Sequence, residues 1–180
     1  MRLFIGVWLS DPQRDEVAAL INELRRKHSG WRWTSPNQLH FTLKFLGEVD
    51  PGRLAVMKSH LTAVAQTNDA FDLTLGELGI FPPTGPPRVL WVGAASGAAA
   101  LTALAGQVET VCQTAGFAAE PKPFRPHLTI ARAKADPGVV TAQPRGWGTS
   151  TRVSGFSLIE SKLQPAGSVY TTLAEFRFQP

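Results

Sequence analysis

The amino-acid sequence predicts an α+β protein of two related halves, and three observations predict it. Segments of strand character alternate with amphipathic helical ones along the chain. The order strand, helix, histidine-bearing strand occurs twice at a constant offset, 87 residues from His40 to His127, which also carries Phe4 onto Trp91, Val17 onto Leu104, Ile21 onto Val108 and Leu24 onto Val111. Gln107, opposite Leu20, breaks the match. The chain's 180 residues, 43% apolar and 18% charged, suit one packed domain over 1–180.

In chain order, Leu3 to Leu9 is short, apolar and rich in strand formers, and Asp11-Pro12 stops it with no signal-cleavage pattern after it. Ser10 or Asp11 caps the next helix, Pro12 sits in its first turn, and Val17, Leu20, Ile21 and Leu24 form its core face. Arg25, Arg26 and Lys27 lie at its C-terminal dipole, and Ser29-Gly30 ends it. His40 to Val49 alternates as a strand. Pro51 to Thr67 carries Leu54, Met57, Leu61, Val64 and Ala65 at helical spacing, and Phe71 to Leu75 alternates again. Gly79 to Pro87 is a proline-rich loop. The second half repeats the order with a strand at Arg88 to Gly93, a helix from about Gly97 to Ala115 and a strand at His127 to Arg132. Lys134 to Thr151 reads as a long loop, and Val153–Leu163 with Val169–Phe178 as an antiparallel pair around Gln164-Pro165-Ala166-Gly167.

A formal charge of +4 and a pI near 9.6 suit a phosphate-bearing partner without requiring one. The single cysteine, Cys112, continues the apolar series Leu101, Leu104, Val108, Val111, Ala115 and belongs to the core. It excludes an internal disulfide framework and a cysteine-rich zinc site, so a cytoplasmic location is expected. No run reaches the length of a membrane span, and a monomer is expected.

Three of the four histidines begin a His-x-Thr triplet: His40-Phe41-Thr42, His60-Leu61-Thr62 and His127-Leu128-Thr129. Chance predicts about a third of one such triplet in this composition. Residues two apart in a strand share a face, so His40 with Thr42, and His127 with Thr129, can converge on one ligand. His60 lies on a helix, where i and i+2 diverge, and reads as a surface residue; His28 reads as a helix-end residue. Two strand histidines facing each other across a cleft are a general base and a general acid, and the threonines can hydrogen-bond non-bridging phosphate oxygens. Without Asp, Glu or Cys at ligand spacing, no metal and no cofactor is expected.

The segments Arg2-Leu3-Phe4-Ile5, His40-Phe41-Thr42-Leu43-Lys44-Phe45-Leu46-Gly47-Glu48-Val49, Arg88-Val89-Leu90-Trp91-Val92-Gly93, Phe124-Arg125-Pro126-His127-Leu128-Thr129-Ile130-Ala131-Arg132 and Gly167-Ser168-Val169-Tyr170 resemble the LigT-like RNA 2′,3′-cyclic phosphodiesterases, also called 2′-5′ RNA ligases, of the 2H phosphoesterase superfamily. The resemblance implies a bilobed, pseudo-twofold α+β fold of antiparallel sheets with outer helices and a central cleft. It implies hydrolysis of a 2′,3′-cyclic phosphate on RNA, tRNA fragments or cyclic nucleotides to a 2′-phosphate. It makes His40 the proton donor to the leaving 3′ oxygen and His127 the proton acceptor, with Thr42, Thr129 and Arg132 on the phosphate. Strict alternation places Arg132 opposite His127, so that contact requires the strand to end or bulge. The same counting puts Lys44 and Arg125 on their histidines' faces as candidates for RNA backbone contacts. Trp147, between two glycines, is a base-stacking candidate, whereas Trp8, Trp33 and Trp91 read as core and Phe45 as facing away from the site. Two rivals are an RNA ligase running the reverse reaction and a non-catalytic RNA-binding module; both complete His-x-Thr segments argue against the latter.

Overall fold

A computed structural model of the chain describes residues 1–134, 137–138, 140, 146–165 and 167–179. Its elements are β1 (Arg2–Trp8), α1 (Asp11–Lys27), β2 (Trp31–Trp33), β3 (His40–Glu48), α2 (Leu54–Ala65), β4 (Phe71–Phe81), β5 (Val89–Ala94), α3 (Ala98–Thr114), β6 (His127–Ala133), β7 (Ser150–Val153), β8 (Gly155–Gln164) and β9 (Gly167–Arg177), with 3₁₀ turns at Pro36–Gln38 and Pro51–Arg53. Ser10 caps α1 by accepting a hydrogen bond from the Gln13 amide, as its position before Pro12 requires. Val17, Leu20, Ile21 and Leu24 are buried beneath it, and Leu101, Leu104, Val108 and Cys112 beneath α3. The 87-residue offset carries Val17 onto Leu104 and Ile21 onto Val108 in these stripes; Leu24 falls on half-buried Val111 and Leu20 on Gln107, while Leu101 and Cys112 answer Arg14 and Arg25.

The strands form one sheet in the order β7-β4-β5-β6-β3-β1-β8-β9, with β2 added alongside β6. Every strand-to-strand register is antiparallel. The order is symmetrical about its middle: β6 answers β3, β5 answers β1, and β4 answers β8. The two halves therefore interlock, because β1 from the start of the chain pairs with β8 from its end, Leu3 opposite Glu160 and Gly6 opposite Ser157. Helices α2 and α3 pack on each other.

Four sequence expectations are corrected. The loop expected from Gly79 begins later, because β4 runs to Phe81 and pairs Gly79 with Trp91. A Cβ on Gly79 would fall inside the Trp91 indole, so the glycine that looked like a loop residue is a strand residue lying under an aromatic ring. Trp31–Trp33 is a strand missed by the sequence reading. The fully buried tryptophan is Trp31, at 2% exposure, while Trp8, Trp33 and Trp91 are only half-buried. The long loop expected at Lys134 to Thr151 gives way at Ser150 to β7; its residues 135, 136, 139 and 141–145, and Ala166 of the expected turn, lie outside the described residues.

Candidate active site

The two histidine strands meet at a single residue pair, Phe41 opposite Leu128. Adding 87 to 41 gives 128, so the pair joins two equivalent positions, and an antiparallel pairing of equivalents carries a local twofold axis. On either side of it the strands diverge to leave a cleft of about 480 Å³. His40, Thr42, His127 and Thr129 all line it. Phe41 and Leu128, one residue along from the histidines, are fully buried on the other face.

The imidazoles are held alike. His40 donates from Nδ1 to the carbonyl of Gln38 at 2.6 Å, and His127 donates from Nδ1 to the carbonyl of Arg125 at 2.7 Å. A carbonyl only accepts, so both Nδ1 atoms carry protons and each neutral ring keeps Nε2 as its acceptor. His40 Nε2 lies 3.0 Å from the Thr42 hydroxyl. Burial lowers the pKa of both rings; the carbonyl bonds oppose the shift, and Arg132 adds to it at both. For His40 the result is about 4, with the charge of His127 contributing. Its ring packs against Phe4 at 4.7 Å, Trp8 at 5.5 Å and Tyr170 at 5.5 Å. His127 meets Phe81 edge-on at 5.1 Å.

Matched β-bulges orient the residues just past each triplet. In β3, Thr42 pairs with Gly6 and Lys44 with Ile5, which leaves Leu43 extra. In β6, Thr129 pairs with Trp91 and Ala131 with Leu90, which leaves Ile130 extra. Leu43 and Ile130 are again 87 apart. An extra residue inverts the alternation, so positions 43 and 44, like 130 and 131, are successively buried, and positions 45 and 132 turn outward into the cleft. Arg132 thus lies on the face of His127, as its expected phosphate contact requires. Lys44 does not lie on the face of His40. It is 3% exposed on the helix side, where its ammonium donates to Glu109 on α3 at 2.6 Å and to the Ala118 carbonyl at 3.0 Å. Phe45, which counting by twos placed away from the site, lines the cleft at 56% exposure.

The remaining expected residues separate. Arg125 is exposed, lies with its guanidinium 5.5 Å from the Phe81 ring, and lowers the pKa of His127. Trp147 is held elsewhere: it packs on the core and donates from its indole nitrogen to the Gly76 carbonyl at 2.6 Å, so the stacking role expected of it has no geometric support. His60 sits on α2 and His28 caps the C-terminus of α1, both outside the cleft. Among the described residues, no group of three His, Cys, Asp or Glu side chains could hold a metal ion.

A family model described as LigT like Phosphoesterase matches the chain twice, over residues 7–91 and 92–170, once for each half. The chain belongs to the LigT-like phosphoesterase family. A relative named RNA 2′,3′-cyclic phosphodiesterase from Archaeoglobus fulgidus is 35% identical over 98% of this chain and 99% of its own length. One of the same name from Thermus thermophilus is 36% identical over 98% of this chain and 89% of its own. Among solved structures, TT0787 of Thermus thermophilus superposes with a TM-score of 0.87 at 32% identity, covering 99% of this chain and 98% of that one. Escherichia coli LigT complexed with 3′-AMP gives 0.83 at 28% identity, with the same coverage. No helix among the described residues of this LigT-like chain is long and apolar enough to cross a membrane.

Several cleft residues escaped the sequence reading. Gln38 orients His40 through its carbonyl, while its side chain accepts from Ser35 at 2.8 Å and donates to the Ser168 carbonyl, tying β9 to the site. Arg32 and Trp33 line the cleft from the missed strand β2. The alternation Trp-Arg-Trp, two aromatics on one face and a charge on the other, was the signal that could have marked it.

Proposed function

We propose that this protein hydrolyses the 2′,3′-cyclic phosphate at an RNA end to a 2′-phosphate, using two histidines and no metal. The observation that carries the reading is the twofold relation between the His-x-Thr pairs, whose two imidazoles line one cleft together with Arg132. The names of the relatives and the nucleotide bound to Escherichia coli LigT support it. In this mechanism Thr42, Thr129 and Arg132 hold the cyclic phosphate. His127 Nε2 takes a proton from water as its oxygen bonds to phosphorus. The bond from phosphorus to O3′ breaks, and His40 delivers a proton to O3′, leaving a 3′-hydroxyl and a 2′-phosphate. Ligation would share this site and transition state with a 5′-hydroxyl in place of water; the vast excess of water favours hydrolysis.

Burial holds the pKa of His40 at about 4, so it is neutral at pH 7 and acting as the acid requires it to gain a proton when an anionic substrate binds. Its low proton affinity equally favours the reverse assignment, His40 as base and His127 as acid. A cyclic substrate with sulfur in place of O3′ separates the two, because a thiolate leaves without an acid: the alanine variant of the acid recovers on that substrate, and the variant of the base does not. The basic test is a short RNA ending in 2′,3′-cyclic phosphate incubated in excess EDTA, with the product identified. A 2′-phosphate is expected. A 3′-phosphate, or no turnover until a divalent ion is restored, overturns the reading.

A further inference from the structure

Strand β2 pairs with β6 so that Arg32 stands directly opposite Arg132. Directly opposed residues of antiparallel strands share a face, and both arginines are exposed and line the cleft. Neither forms an ion pair or a side-chain hydrogen bond with a described residue. Two like charges facing each other across a strand pair destabilise the sheet. With no carboxylate of the described residues paired to either one, the two guanidiniums are available to an anion.

One cyclic phosphate carries one negative charge, and Arg132 already serves it from beside both imidazoles, whose proton affinities it lowers. Arg32 stands one strand over from Arg132, on β2 and not on either histidine-bearing strand. From Arg32 the cleft wall continues through Thr34, whose hydroxyl donates to the Thr129 carbonyl at 3.1 Å, and through Ser35 and Asn37 to Gln38, which holds His40, so Arg32 stands at the outer end of a polar track that leads in to the histidines. Paired residues in antiparallel strands have Cα atoms about 5 Å apart, and mutual repulsion spreads the long side chains. The arrangement suits two anions in succession along a strand.

We propose that Arg32 binds the phosphodiester immediately 5′ of the cyclic end, so that the cleft holds an RNA terminus by two consecutive phosphates, the reacting one at Arg132 and the next at Arg32. This inference rests on the cyclic-phosphodiesterase reading and adds to it a preference for a polynucleotide end over a lone cyclic nucleotide.

The test uses two dinucleotides ending in 2′,3′-cyclic phosphate, one with a natural linkage and one with an uncharged methylphosphonate linkage. For the unaltered protein the neutral linkage is expected to raise KM about tenfold, the range of a charge-assisted hydrogen bond, with kcat within about twofold. Arg32→Gln is expected to raise KM about tenfold on the natural linkage and to change it by less than about twofold on the neutral one. Arg32→Lys should recover part of the loss. The melting temperature of Arg32→Gln should stay level or rise, because a like-charge pair is relieved. Equal losses on both linkages, no loss on either, or a loss accompanied by a lower melting temperature would each overturn the proposal while the unaltered protein remains active. Failure of the unaltered protein to hydrolyse either dinucleotide removes the functional reading itself, and this inference with it.

Discussion

The two halves of the cleft share a backbone plan and differ in what surrounds it. Each supplies a histidine whose Nδ1 proton is fixed by the carbonyl two residues earlier, a threonine on the same face, and a bulge one residue after the threonine. Around His40 stand three aromatic rings from β1 and β9; around His127 stand one ring and the cation of Arg125. Beyond the bulges, the first half places a buried lysine and an outward phenylalanine where the second places Ala131 and Arg132. A duplicated frame therefore delivers two imidazoles in equivalent positions, and the neighbouring side chains make them unequal. In the proposed mechanism, which histidine gives the proton and which receives it is set by those neighbours.

The largest expected effect tests whether both halves are needed. His40→Ala and His127→Ala should each lower kcat by at least the roughly 10²-fold that a positioned acid or base supplies, with the fold intact, whereas His60→Ala on α2 leaves it unchanged. Comparable activity in one of the two cleft variants and the parent would make the site one-sided.

Next come the buried cage and the buried lysine. His40 has a folded pKa near 4 against an ordinary 6.5, so the unfolded chain binds more protons between those values. The stabilising contribution is complete above pH 6.5 and is lost as pH falls toward 4, amounting to about 3 kcal/mol. Denaturant titrations across that window should show the loss in the parent and a flatter profile in His40→Gln; parallel profiles would mean that the cage does not favour the neutral ring. Despite the opposing effect of burial, the carboxylate of Glu109 is held below its ordinary pKa by the hydrogen bonds from Lys44, Gln113 and the Glu120 amide, so its own contribution disappears only at lower pH. Lys44→Met removes the partner of that carboxylate and should cost about 3 kcal/mol in stability while leaving the salt dependence of RNA binding unchanged.

Arg132→Ala should do the converse. Its melting temperature stays level, KM rises, and the slope of log binding constant against log salt falls by somewhat under one unit. If Lys44→Met altered the slope more than Arg132→Ala, the inversion at the bulges would be the wrong account of which cation meets RNA. The smallest effect belongs to the Arg25, Arg26, Lys27 triple neutralisation at the end of α1, none of which lines the cleft. It should leave binding within about twofold of the parent in the same salt series.

The paired histidines, the helices and the internal repeat were legible because each is a periodic signal: period two in the strands, 3.6 in the helices, 87 in the chain. What was illegible breaks a period. A bulge is one residue of irregularity, and that one residue reversed the readings of Lys44 and Phe45 while resolving the one made for Arg132. Trp31–Trp33 was too short to register as a strand. Gly79 reads as a breaker until the Trp91 ring lying over it is known. Tyr170 packs on His40 across 130 positions of sequence, a proximity that only the strand order of the sheet creates.

The interlocked pairing of β1 with β8 has a consequence for the order in which the protein is made. Strands β4, β5 and β6 adjoin in sequence and in the sheet, so the His127 side can assemble from a contiguous stretch of nascent chain. Strand β1 pairs with β3 along one edge, but its other edge must wait for residues 157–160 to leave the ribosome, and the rings around His40 wait further for Tyr170. Contacts of such sequence separation form late because closing the intervening loop is entropically costly. In pulse-labelled refolding, amides of β5 and β6 are therefore expected to gain protection before those of β1 that face β8. Until β8 arrives, β1 presents an unpaired strand edge to the cell, and a chaperone acting during synthesis would find its binding site there.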